Sequence, residues 1–252
     1  MRHNGHELQR IGSQPTMTTP FLDHNGCCDQ GAWSPSCRDA PALVIIPSAW
    51  IRSGAALTGL LLVLFVLVHL IGLLPAVLAP EQFEAYATAL HSSPWLPLVE
   101  FGLLLLAVIH IGLTLSKAIV NHRAGNTATL RSRRQSPLAS LASRSATAAG
   151  LVTLGFLILH LQQLRWPRPA VGEEAATLIQ VLQNPWNAAL YAAAAVAPAL
   201  HLLHGAEAAH RSLGWLTPHN SGALRAGGSF LAGLIGGGFL TVTLVLALGD
   251  VA

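Results

Sequence analysis

Five apolar runs of about twenty residues each leave this chain few places to fold. They extend from Gly54 to Leu78, Leu96 to Val120, Ala146 to Leu164, Asn187 to Ala209 and Gly227 to Leu248. Each is long enough to cross the hydrocarbon core of a bilayer. No water reaches backbone N–H and C=O groups there, so such runs form helices, which satisfy those groups internally. Charge argues against a soluble fold. Only 10% of the 252 residues are charged, and 52% are apolar; an average soluble domain has about 25% charged residues. The expected fold is an all-α integral membrane protein with five transmembrane helices.

Lys and Arg give the chain a direction. Arg52 precedes the first run, and Lys117, Arg123, Arg131, Arg133, Arg134 and Arg144 lie at or within the second connection. Arg211 and Arg225 lie in the fourth. The first connection has no Lys or Arg but holds Glu81 and Glu84, and the third offsets Arg165 and Arg168 with Glu173 and Glu174. By the positive-inside rule the N-terminus is cytoplasmic and the C-terminus outside, in the cell inner (cytoplasmic) membrane. The net charge of +3 therefore reads as orientation, and no nucleic-acid partner is expected. Residues 1–48 are rich in Gly, Pro, Asn and Ser and read as a disordered cytoplasmic extension ahead of a membrane domain over 49–252. They contain no apolar core of a secretory signal. Cys27, Cys28 and Cys37 lack the CxxC spacing of a zinc or redox site and the CxxCH of covalent haem attachment.

Ionisable side chains within a bilayer call for a reason. The first four runs each hold one deep histidine: His69, His110, His160 and His201. Each lies about 14–15 residues into its run, or about 21–23 Å into a core of about 30 Å. Because the runs alternate in direction, His69 and His160 fall in the outer third and His110 and His201 in the inner third. Each pair comes from parallel helices, which face one another diagonally in a four-helix bundle. Two imidazoles on opposite sides can ligate a haem iron, and bundle cores hold such cofactors. This reading gives two noncovalent haems b held by the first four helices; the plainer alternative is four separate interhelical hydrogen-bonding histidines. Gly72, Gly155 and Gly205 are candidates for close helix approach. His204, one turn from His201, is an alternative ligand. His91 suits a quinone site, a haem propionate or plain solvent. His122, His210 and His219 read as interfacial.

The stretch SGAALTGLLLVLFVLVHLIG resembles the first helix of the di-haem cytochrome b subunit of succinate dehydrogenase and fumarate reductase (the cytochrome b558 type). Similar pieces follow in order: APEQFEAYATALHSSPW with VEFG, LLLLAVIHIGLTL, LVTLGFLILHL, QNPWNAALY and HLLHGAEAAHRSLGW. The resemblance covers about residues 50–250. It implies axial ligands at His69 and His160 for a distal haem and at His110 and His201 for a proximal one. It also prefers His201 to His204, since the family ligand stands four residues before a glycine, here Gly205. Further implications are cytoplasmic flavoprotein and iron–sulfur partner subunits, and electron exchange with membrane quinone, often menaquinone. Glu81, Glu84 and Glu100 are the candidates for the family's acidic quinol-site residue. The long N-terminal extension, the extended second inner loop and the Arg/Pro-rich third outer loop depart from the family pattern.

No flavin or nucleotide motif is present, so the expected role is a non-catalytic electron-transfer subunit of succinate dehydrogenase, surrounded by membrane lipid. Two alternatives remain at the level of sequence. One is a cytochrome b anchor for another quinone-linked dehydrogenase. The other is a haem-free transporter or assembly protein.

Overall fold

A computed structural model describes residues 48–123, 137–166 and 168–249. The extension expected over residues 1–48, apart from Ser48, lies outside the described residues, as does the part of the basic loop at 124–136. The described residues are helical with no strand: α1 (Ser48–Leu78), α2 (Pro80–His91), α3 (Leu96–Arg123), α4 (Pro137–Leu164), α5 (Glu174–Gln183), α6 (Pro185–Ser212) and α7 (Ser221–Leu248). Five of these, α1, α3, α4, α6 and α7, are long and apolar enough to cross a membrane. They carry the five expected runs. Their outward surface is apolar: Phe101 and Phe230 are 63% and 73% exposed, as suits side chains facing lipid rather than water.

The helices outrun the apolar windows. The first begins at Ser48 rather than Gly54, the third span at Pro137 rather than Ala146, and the last at Ser221 rather than Gly227. Hydropathy marks the stretch that lipid requires, whereas backbone hydrogen bonding carries the helix on through Ser, Ala and Arg. Helix ends follow local chemistry instead. Asn184 caps α6, its Oδ1 accepting from the N–H groups of Trp186 (3.0 Å) and Asn187 (3.3 Å), and Pro185 fills the first turn, where no N–H is needed. Beyond α6, Gly214 takes a φ of 74°, the left-handed conformation that stops a helix at little cost only for glycine.

Two connections read as loops are also helical. The segment α2 starts with proline and places Phe83 and Ala87, four residues apart, into the core; α5 does the same with Leu178 and Leu182. This i,i+4 spacing makes one apolar face, but twelve and ten residues are too short to span. Both helices lie at the end where α1 passes to α3 and α4 to α6. There they join Leu70, Ala76, Tyr191, Val242 and Leu246 in one buried cluster.

Along α7, small residues let the backbones close up, the usual basis of helix packing in lipid. A Cβ added at Gly236 would meet the Ala199 Cβ at 2.8 Å, and one at Gly228 would meet the Ala206 Cβ at 3.0 Å.

Polar groups clamp α2 to α5. Glu84 caps the α5 N-terminus, accepting from the N–H groups of Glu174 (3.0 Å) and Ala175 (2.7 Å). The buried Glu174 carboxylate accepts from Thr88 Oγ1 and from the Gly172 N–H, and pairs with His91 Nδ1 at 3.1 Å. Burial by itself would raise the Glu174 pKa. Hydrogen bonds involving Glu84, His91 and the backbone of Glu174 and Gly172 outweigh it and lower the value from 4.5 to about 2. A depressed carboxyl favours the folded state above its unfolded pKa. The contribution is therefore whole above about pH 4.5 and is lost as pH falls toward about 2. Glu174→Gln is expected to lower the thermal midpoint in detergent at neutral pH and to flatten its decline over that acid window, read by circular dichroism.

Candidate functional site

The helix directions set the four histidines at two levels. His69 lies nine residues before the end of α1 and His160 four before the end of α4, so both sit about 6–14 Å from the α2/α5 end. His110 and His201 are fourteen and sixteen residues into α3 and α6 from the same end, about 21–24 Å away. The rings meet within each level. The His69 and His160 centroids are 6.0 Å apart with planes at 77°, and those of His110 and His201 are 6.3 Å apart at 83°. Of His201 and His204, it is His201 whose ring faces His110.

This spacing can be tested against metal geometry. Two imidazole nitrogens on opposite sides of one first-row metal ion, each at about 2.0–2.1 Å and each about 1.1 Å from its ring centre, put the centroids about 6.2–6.4 Å apart. The observed values fall within or close beside that range. Among the described residues, neither pair has a third His, Cys, Asp or Glu to complete a metal cluster. Two imidazoles per level, each turning a nitrogen to the space between them, would suit a metal whose other ligands come from a macrocycle, as in haem.

Tautomers follow from the partners of Nδ1. His201 Nδ1 stands 2.9 Å from the Ala146 carbonyl oxygen, which only accepts, so Nδ1 carries the proton and Nε2 keeps its lone pair. His110 Nδ1 lies 3.0 Å from Thr58 Oγ1. The Thr58 hydroxyl gives its own proton to the Gly54 carbonyl at 2.7 Å, so its oxygen accepts from Nδ1 and the His110 Nε2 is also left as a donor to metal. Such outer partners orient ligating histidines and raise their basicity. At the other level, His160 Nδ1 has the Tyr191 hydroxyl at 3.4 Å. Thr58→Val, which removes the acceptor at nearly constant volume, is expected to weaken cofactor retention at the His110/His201 level about 10–100-fold and to leave the other level intact, measured by pigment loss during dialysis.

Two glycines let these rings lie against neighbouring helices. A Cβ on Gly59 would stand 3.0 Å from His110 Cε1, and one on Gly150 would stand 3.2 Å from His201 Cε1. Sequence reasoning passed over both, along with Thr58 and Tyr191. It singled out Gly72, where an added Cβ would meet Tyr86, and Gly155 and Gly205, where an added Cβ would meet no atom of another helix within 4 Å. A signal was present: Gly59 and Gly150 each stand ten residues before the histidine of their own helix, His69 and His160.

The His69/His160 level is lined by aromatics: Phe65 stacks on His69 at 5.7 Å, and Phe156 lies 5.7 Å from His160. Phe239 of α7 lies 5.9 Å from His69. The fifth span, which has no histidine, thus packs on a bundle expected from the first four alone.

The remaining candidates have other work. His91 pairs with Glu174. Glu84 caps α5, and both oxygens of Glu100 are held by Arg165 at 2.6 and 2.7 Å. Glu81 is exposed. His210 Nδ1 meets the Ala206 carbonyl at 2.7 Å, while His122 and His219 are exposed. The three cysteines lie outside the described residues.

Residues 47–146 match the family of the succinate dehydrogenase/fumarate reductase transmembrane subunit. With the five helices long and apolar enough to cross a membrane, the match supports a multi-pass membrane protein. It spans α1, α2, α3 and the first part of α4, and so includes His69 and His110, one histidine from each level, with Thr58 and Gly59. His160 and His201 lie beyond it. No curated protein and no solved structure matches the chain.

Proposed function

We propose that the chain is the membrane anchor of a succinate:quinone oxidoreductase, the respiratory complex II. In this reading it holds two haems b and passes electrons between an iron–sulfur subunit and membrane quinone. The observation that carries it is the pairing of His69 with His160 and of His110 with His201 at centroid separations suited to two axial imidazoles. The haem iron supplies one-electron chemistry when bound. The protein's part is to hold and orient. Thr58 and the Ala146 carbonyl aim the two imidazoles of one level, and Phe65, Phe156 and Phe239 keep water from the other.

With the Arg-rich connections inside, His110 and His201 form the inner level, near a cytoplasmic iron–sulfur partner, and His69 and His160 the outer one. The levels are about 10–15 Å apart along the bundle by helix rise, which suits transfer between them across the bilayer. A flavoprotein subunit would complete the complex and carry the succinate or fumarate chemistry.

The test is purification of the full chain from its native membrane. The expected result is about two haems b per chain by pyridine haemochrome, together with flavin- and iron–sulfur-containing subunits. Well-folded protein without haem would refute the cofactor reading. Haem with a different dehydrogenase would refute the partner.

A further inference from the structure

The short helices α2 and α5 cover the His69/His160 level. Phe83 and Ala87 of α2 and Leu178 and Leu182 of α5 share one buried cluster with Leu70, the neighbour of His69, and with Tyr191. The Tyr191 hydroxyl stands against His160 Nδ1. Being too short to span, each helix is held by that apolar face and by the polar seam between the two.

One side chain gathers the seam. Glu174, its side chain only 4% exposed, accepts from Thr88 Oγ1 of α2. It also accepts from the N–H of Gly172, whose φ of 85° makes the turn into α5. A carboxylate only accepts, so His91 Nδ1 donates to the other oxygen, at 3.1 Å. This contact joins the last residue of α2 to the first of α5. Helix dipoles favour a cation at the first of these ends and an anion at the second.

The charged groups around His91 are already engaged. Despite burial, hydrogen bonds hold the Glu174 carboxyl at about 2, so it stays anionic. Arg168 donates to the His91 carbonyl oxygen at 3.1 Å and keeps its charge. On α3, Glu100 is held through both oxygens by Arg165. Glu84 caps α5, and Glu81 and Glu173 are exposed. Histidine is the side chain whose charge ordinarily changes between about pH 5 and 8. The His91 side chain is 21% exposed, so protons reach it from the water at this end. A neutral ring still donates from Nδ1; protonation at Nε2 turns the contact into an ion pair, and partly buried pairs are little screened by salt.

We propose that α2 and α5 form a lid over the His69/His160 level, latched through Glu174 when His91 is protonated. The closed lid favours the imidazolium. The latch therefore contributes fully at acid pH and is lost as His91 gives up its proton on going to alkaline pH. Access to Tyr191 and His160 then depends on the proton concentration on that side of the membrane, whatever the histidine pair holds.

The test is amide hydrogen exchange of the full chain in its native complex, read by mass spectrometry and corrected for the intrinsic pH dependence of exchange. Amides of α2 and α5 are expected to be about tenfold better protected at about pH 5.5 than at about pH 8, the effect of one hydrogen bond to a charged group. Those of α6 should not change. His91→Gln keeps a donor for Glu174 but cannot be charged, and should show the lower protection at every pH. Glu174→Gln, which leaves His91 without its anion, should also flatten the profile. Flat wild-type protection, protection that rises with pH, or a change shared by α6 overturns the proposal. A pH dependence that survives in either variant overturns it as well. Exchange is read whether or not the samples contain haem, so the outcome is separate from that of the di-haem reading.

Discussion

Alanine at His69 or at His160 is expected to cut haem content from about two per chain to about one, with the same spectral component lost in both variants. Alanine at His110 or at His201 should remove the other component. The basis is ring pairing: each imidazole has one partner at about the span of a shared metal, 6.0 Å in one level and 6.3 Å in the other. On the di-haem proposal, losing one of two ligands would leave the partner unable to hold the group alone, whereas the second level, about 10–15 Å away along the helices, would keep its own pair. Redox titration of membranes checks the assignment. If His69→Ala and His110→Ala lost the same component, the pairing would be wrong.

The second large effect is expected where no ligand is touched. At Gly59 even a single added carbon would stand 3.0 Å from the His110 ring, tight enough that the ring must move. Alanine there should be borne by a shift of a few tenths of an ångström, with both haems retained. Leucine adds a branched side chain to an already filled space, and overpacking of that kind costs about 1–3 kcal/mol or more. Gly59→Leu should therefore displace His110 and strip the inner haem, leaving the His69/His160 level spectrally unchanged. Gly150→Leu should do the same through His201, whose Cε1 lies 3.2 Å from the added carbon. Pyridine haemochrome and low-temperature spectra of the purified variants read the result. Loss of the outer component, or of neither, would separate these glycines from the inner pair.

The parts of this protein legible from the chain alone are those that depend on length and order. Five apolar runs must cross a bilayer, because nothing else can accommodate them. Successive spans must run in opposite directions, because short connections allow nothing else. Four histidines at one distance along alternating spans must then fall at two levels. None of this requires knowing how any helix is rotated about its axis.

Rotation is what only the tertiary structure decided. In α1 and α3 apolar side chains lie all round the helix, so periodicity marks no inward face. For that reason the sequence points to Gly155 and Gly205, where an added Cβ would meet no other helix, and not to Gly59 and Gly150. The lipid-facing and bundle-facing sides of such helices look alike in sequence, and which residue meets which is settled by small differences in packing. The same limit hid the partners of Nδ1, since the Ala146 carbonyl is a backbone group that every residue possesses. The short helices α2 and α5 escaped notice because hydropathy reports on the need for lipid, and these segments bury their apolar faces on other helices. The commitments of Glu84, Glu100 and Glu174 likewise join residues as much as ninety-one positions apart. Sequence order determines which residues reach a given depth; contact across the bundle determines what each of them can do there.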